Sequence, residues 1–358
     1  MHNKLFIADN QVAIIGGRNI GDPYFGVGAG YNFRDFDLFS VGPVVGEISK
    51  SFDQYWNSEW AVPVRALYTS RLTAREVEEA YLKLKNKIAA HPEYPYKTPV
   101  DPSHLSESLS RIRKDLIWAR AGVASDAPGK SKEPGSHQIT AMLKEFLESA
   151  KREILIVTPY LVPSEQDILK KRLADFRSRG VAISVLTNSL ASTDLVMTHV
   201  GYAKYRNILV EGGVTLHEMR PDAASRAIYT AEAGPASVMG LHGKAALVDR
   251  GLVFIGTFNF DQRSEWINTE VGVMIDSPEL AQRIASAVGV DLQGQNSWRV
   301  TFASDCGPKL AKREGAQSLV WISEEAGRKT CLEREPSASL SRLLLRSFMG
   351  LVPIDSQL

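Results

Sequence analysis

Apolar and polar positions divide the chain into short strands and longer helices. Residues 5–7 and 12–15 read as two strands around a turn at Asp9, Asn10 and Gln11. Gly26, Gly28 and Gly30 mark a loop, and a strand follows over 38–41. Val45, Ile48, Phe52 and Tyr55 then recur at helical spacing after Pro43. Over 73–90, Thr73 and Glu76 make a capping box, and Val77, Tyr81, Leu84 and Ile88 form the apolar stripe of a helix. Residues 126–137, rich in Pro, Gly and Ser, read as a linker or mobile loop. Beyond it, a helix face (Ile139, Leu143, Phe146) precedes strands over 154–158, 181–186 and 214–218, with helices between them. A hairpin around Asp249, a strand over 270–275 and a helix from Pro278 complete this part, and the tail after 291 reads as irregular, with Trp298 and Trp321 as anchors. Strands separated by helices predict an α/β layer structure.

Internal repetition changes the picture. His2, Lys4, Asp9, Gly16 and Asn19 recur as His242, Lys244, Asp249, Gly256 and Asn259, with one spacing, H-x-K-x4-D-x6-G-x2-N. The likeness continues downstream: Asp35 stands eight residues before Pro43 and Glu270 eight before Pro278, each followed by an apolar strand and a helix.

The doubled motif resembles the phospholipase D superfamily. The phrase GTFNFDQRSEWINTE, which contains Asn259, Arg263, Ser264 and Glu270, is similar to bacterial cardiolipin synthases. VTPYLVPS, LTNSLASTDLVMTHVGYAKYR and the ending near Glu335 and Pro336 are similar to their type C branch, and the resemblance covers almost the whole chain. It implies an α/β phospholipase D fold of two pseudo-symmetric mixed β-sheet halves flanked by helices, the first half incomplete here. The expected divisions are 1–72 (partial first half), 73–136 (helical insertion and linker), 137–290 (second half) and 291–358 (C-terminal extension). It also implies attack by His2, with His242 as acid.

The residue types suit phosphodiester transfer. A covalent phosphohistidine splits one slow displacement into two easier ones, and imidazole reaches both the neutral and the protonated state near neutrality. Lys4 and Lys244, two residues beyond their histidines on a strand, share the histidines' face and can clamp phosphate oxygens. Asn19 and Asn259 can donate to the same oxygens. Asp35 and Glu270 are candidates for orienting the imidazoles by hydrogen bonds. Asp9 and Asp249 are catalytic candidates that fit equally well as hairpin-turn residues, and Arg263 serves equally as a phosphate contact or as a brace of its turn. The cationic and amide groups make a metal or other cofactor unnecessary.

Composition narrows the partners. A net charge of +1 gives no bulk field for nucleic acid, so none is expected. No apolar run is long enough to span a bilayer, so membrane contact should be peripheral. Cys306 and Cys331, the chain's two cysteines, read as buried thiols. The resemblance implies a phosphatidyl group moving to a lipid hydroxyl at a bacterial inner membrane. Phosphatidylglycerol is the expected lipid, phosphatidylethanolamine a further candidate, and an accessory protein an open question. A phospholipase D or nuclease-type hydrolase, or an inactive truncated relative, are the alternatives. The chain opens one residue before His2, whereas the second motif follows the elements over 137–241. This predicts an N-terminally truncated chain with His2 on a fraying, poorly supported hairpin and with little or no activity.

Overall fold

A computed structural model describes residues 1–67, 72–90, 102–132, 137–163, 165–229, 237–325 and 327–350. The chain separates into two units, Met1–Gln54 with the residues from Ala119 onward, and Tyr55–Trp118.

The hairpins that carry the two motifs share one register. Leu5–Ala8 pairs with Val12–Gly16 so that Leu5 faces Ile15 and Ala8 faces Val12. Ala245–Val248 pairs with Leu252–Gly256 so that Ala245 faces Ile255 and Val248 faces Leu252. Both turns place two consecutive residues at positive φ, Asp9 (51°) and Asn10 (54°) in one, Asp249 (52°) and Arg250 (52°) in the other. Two left-handed residues in a row make the tight turn that suits the strands' twist, and Asn and Asp tolerate that region better than most side chains. A third strand closes each motif, Asp37–Val41 beside the first hairpin and Val271–Asp276 beside the second. Gly16 and Gly256 stand where those third strands begin. A Cβ there would lie 2.3 Å from the Phe36 carbonyl oxygen or 2.4 Å from that of Val271, so neither position accepts a side chain.

The first motif belongs to a three-stranded sheet and the second to a ten-stranded mixed sheet. At the centre of the larger sheet, Glu153–Val157, Ala182–Asn188 and Thr215–Met219 run parallel, and the second motif's hairpin joins antiparallel to Glu153–Val157. Alternation along these strands feeds two cores. Ile154, Ile156, Ile183 and Val185 pack under the helices Gln138–Glu148 and Gln166–Ser178. Val157, Leu247, Val253 and Val273 pack instead with Ala13, Ile15, Val45 and Ile48 of the first motif, and this second core joins the two halves.

Three expectations are corrected. The segment after 291 is not irregular: Ser297–Phe302, Leu319–Glu325 and Arg328–Leu332 extend the large sheet at one edge, with Trp298 and Trp321 buried against it. Residues 120–125, unassigned in the sequence pattern, form the strand Arg120–Ser125 at the opposite edge. Cys306 and Cys331 are half-buried and joined in a disulfide, because the last antiparallel pairings return the chain to the turn Ala303–Cys306.

In the second unit, the helix Ala74–Ala89 starts on the expected capping box, with the Thr73 side chain accepting from the Glu76 N–H. Its stripe residues Val77, Tyr81, Leu84 and Ile88 lie at the surface. The helix Pro102–Asp115 follows.

The disulfide spans 25 positions. By the chain-entropy account, a loop of that size contributes about 3.5 kcal/mol. Reduction is expected to lower Tm and to raise hydrogen exchange first in Leu319–Glu325. Unchanged melting in reductant would contradict the bond.

Candidate active site

The two motifs exchange partners at their histidines. The His2 backbone N–H donates to the Thr269 carbonyl at 3.0 Å, and that of His242 to the Arg34 carbonyl at 2.8 Å. The next residue in each case supplies the carboxylate for the ring: His2 Nδ1 meets Glu270 Oε2 at 2.8 Å, and His242 Nδ1 meets Asp35 Oδ2 at 2.8 Å. An ionised carboxylate only accepts, so each Nδ1 donates to its carboxylate and each Nε2 is the ring nitrogen outside that bond. The expectation of a frayed His2 is therefore corrected: it is held at both its backbone and its ring.

Glu270 is fully buried and also accepts from the hydroxyls of Thr257 (2.5 Å) and Ser264 (2.8 Å). Asp35 accepts from the Phe36 N–H at 2.8 Å. Burial pushes Asp35 up, but the His242 bond and the charges of His242 and Lys244 outweigh it and hold the carboxyl below its usual range. Gly17 occupies the repeat position of Thr257, and a Cβ there would lie 2.4 Å from Asp35 Oδ1. The first copy thus has a shorter acid packed against bare backbone, and the second a longer acid held by two hydroxyls.

Lys244 is fully buried, with Nζ 2.5 Å from the His242 carbonyl oxygen and 3.2 Å from its Nε2. Lys4 Nζ donates to the His2 carbonyl at 2.9 Å. Burial lowers both ammonium groups, Lys244 to about 8, while Glu270 and Asp35 act on both lysines in the opposite sense. Each lysine therefore feels both carboxylates, which places the two motifs around one site. Burial, and then the Lys244 charge, lower His242 to about 4 against the support of Asp35, so its imidazole is neutral at pH 7.

Other expected residues are placed unequally. Asn259 is buried, and its Oδ1 has no hydrogen-bond partner among the described residues. Asn19 is exposed and donates to the Tyr24 hydroxyl at 2.8 Å. Arg263 is exposed and opens the π-helical turn Arg263–Ile267. Asp249 lies in its hairpin turn, where its carboxylate accepts the backbone N–H groups of Lys151, Arg152 and Glu153. Asp9 has the equivalent turn position.

Several residues escaped the sequence reading. Asn188 grips Leu241 by both backbone groups at 2.8 Å, fixing the residue before His242. Tyr24 and Phe33 lie 5.0 Å from the His242 ring, centroid to centroid. Asp194, held by the Tyr160 hydroxyl, adds negative charge near His242 and Lys244. The segment read as a linker contains a fully buried pair, with Lys130 Nζ 2.8 Å from Asp126 Oδ2. Asp126 accepts the Glu270 N–H, and Lys130 donates to the Ser264 carbonyl. The pair pins the turn that holds Glu270, which corrects the reading of residues 126–132 as mobile. Only the pattern D-x3-K, one helical turn apart, hinted at it.

Replacing Lys130 by Met strands a buried carboxylate. The variant is expected to lose about 3–5 kcal/mol of stability in denaturant unfolding. A loss below 1 kcal/mol would show that the pair is not buried as described.

Residues 143–289 match a family model described as the cardiolipin synthase, phospholipase D-like domain. Cardiolipin synthase C of Escherichia coli (strain K12) is 31% identical over 99% of this chain and 72% of its own length. A Helicobacter pylori (strain J99) protein is 30% identical over 99% of this chain and 66% of its own. The chain thus spans about two thirds to three quarters of these relatives. Among solved structures, phosphatidylserine synthase of Haemophilus influenzae Rd KW20 superposes with a TM-score of 0.52 at 13% identity, over 97% of this chain and 68% of that one, a likeness of fold. With paired motifs on this fold and a relative 31% identical over 99% of the chain, the chain belongs to the phospholipase D-like cardiolipin synthase family.

Proposed function

We propose that the protein transfers a phosphatidyl group from one phospholipid to the hydroxyl of another through a phosphohistidine. The observation that carries this reading is the crossed pair of imidazoles, each oriented by the other motif's carboxylate, with an ammonium group beside each. In the first step, His242 Nε2 bonds to phosphorus and the P–O bond to the leaving alcohol breaks. His2 gives that oxygen a proton. In the second step, His2 takes the proton of the acceptor hydroxyl, whose oxygen bonds to phosphorus as the N–P bond breaks. Lys4 and Lys244 stabilise the charge gathering on the nonbridging oxygens. Asn259, with its side chain buried in the site wall, is a further phosphate contact.

This order of the histidines reverses what the resemblance implies. A nucleophile must be neutral, and burial with the Lys244 charge already makes His242 so. The His2 side chain is 27% exposed, against 5% for His242, so it is the more open of the two to solvent.

Phosphatidylglycerol is proposed as the acceptor and phosphatidylethanolamine as a further donor. Peripheral membrane contact is supported by the helix Leu340–Met349, which exposes Leu340, Leu344 and Phe348 while Arg342 ties it to the Leu190 and Thr193 carbonyls at 2.8 Å. Among the described residues, no helix is long and apolar enough to cross a membrane.

Incubating the protein with labelled phosphatidylglycerol should yield a new diester, and His2→Ala or His242→Ala should each reduce it by at least about 10³-fold. Label appearing only in phosphatidic acid would make the protein a hydrolase. Acid-free trapping should place the phosphoryl group on the peptide containing His242, and label on the first ten residues would reverse the assignment.

Lys244 works as an ammonium ion and loses its proton near pH 8 in the free site. The value of kcat/KM should therefore fall as pH rises through about 8, and Lys244→Arg should remove that limb from its residual activity. An unchanged limb in the variant would assign the titration elsewhere.

A further inference from the structure

Beside the catalytic centre lies a cavity of about 520 Å³ that the chemistry above does not use. This lies within the roughly 300–1,000 Å³ range of small-molecule sites. The helices Gln138–Glu148 and Gln166–Ser178 form its walls through residues such as Leu143 and Leu169. Its floor is the sheet, with Ile154, Ile156, Ile183 and Val185. Polar groups gather at one end, where His137, Asp261, Glu265 and Trp266 line it.

That end touches the catalytic apparatus. Asp261 accepts the Ser264 N–H at 2.7 Å, and the Ser264 hydroxyl donates to Glu270, which holds His2. His137 packs edge-on against Trp266 at 5.1 Å and meets the Glu265 carbonyl at 3.0 Å. The π-helical turn Arg263–Ile267 therefore has the histidine's carboxylate on one side and the cavity on the other. The apolar floor offers water few hydrogen-bond partners, and an empty hollow of this size would forfeit much packing. Exposed charges of both signs, Lys144 and Arg172 with Glu165, line it as well, and its walls and floor are otherwise mainly apolar, which suits an apolar chain.

We propose that this cavity seats one fatty acyl chain of the phospholipid substrate, anchoring the lipid while its phosphate lies between His2 and His242. The assignment rests on the phosphatidyl-transfer reading. A chain seated here presses on the turn that positions Glu270, so occupancy and the geometry of His2 are coupled. The cavity selects for chain length, and the histidines are indifferent to it.

The test uses the full chain with vesicles of phosphatidylglycerol brominated along its acyl chains. Trp266, isolated by comparison with Trp266→Phe, reports contact through fluorescence quenching. Filling the cavity with Leu169→Phe, or with Ile168→Phe at a more exposed wall position, should weaken that quenching at least fivefold. In the transfer assay, the same variants should lower the ratio of kcat/KM for long-chain over short-chain donors by a similar factor. No quenching, or quenching in both filled variants as strong as in the unsubstituted protein, overturns the proposal. So does quenching by brominated free fatty acid but not by the brominated phospholipid. Cavity-dependent quenching in a protein that transfers no phosphatidyl group from either donor would instead defeat the functional reading and leave the acyl site standing.

Discussion

The reciprocal hold between the two motifs is the constraint on which the rest depends. Neither copy orients its own histidine. His2 takes a backbone acceptor from Thr269 and a ring partner from Glu270, and His242 takes the same pair from Arg34 and Asp35. Imidazole orientation, tautomer and the spacing of the two lysines all follow from the interface between halves. The second core, where Ala13, Ile15 and Ile48 meet Val157, Val253 and Val273, thus holds the two histidines' surroundings together as well as contributing stability.

Around that interface, burial is used selectively. Lys244 and Glu270 are removed from water completely, while His2 remains partly open. The low dielectric makes each charge costly when alone and effective when paired, so buried carboxylates here are hydrogen-bonded several times over. Glu270 meets His2, Thr257 and Ser264, and Asp126 meets Lys130, Ile139 and Glu270. These bonds make the turn over Glu270 a firm support for His2.

The paired motifs were legible in the sequence because a strict repeat encodes them locally, and a repeated spacing implies a repeated hairpin. The expectation that His and Lys lie on a strand is corrected: His2 and Lys4, like His242 and Lys244, lie just before the first strand of their hairpin. The exchange of partners was not legible, since a pattern within each copy carries no information on which carboxylate serves which ring. Asp126 and Lys130 were hidden for another reason. Their neighbours, Pro, Gly and Ser, have the composition of a linker, and only tertiary burial distinguishes a pinned loop from a free one. The final strands escaped because the first of them, Ser297–Phe302, joins the sheet through Thr215–Met219, far back in the chain, and the other two are added onto it. The disulfide followed from that missed pairing. Asn188 and Asp194 reach the site from another strand and a loop, with no spacing to mark them.

Joining the two copies in one polypeptide has a consequence for their descent. A protein with a single copy could build this centre only by swapping partners with an identical neighbour, and strict twofold symmetry would then force both histidines into the same surroundings. Covalent fusion lifts that symmetry. Gly17 and Thr257 have diverged, Asp35 and Glu270 differ by a methylene, and one imidazole is enclosed by aromatic rings while its twin meets solvent. The two copies are thereby free to hold their imidazoles in unlike surroundings.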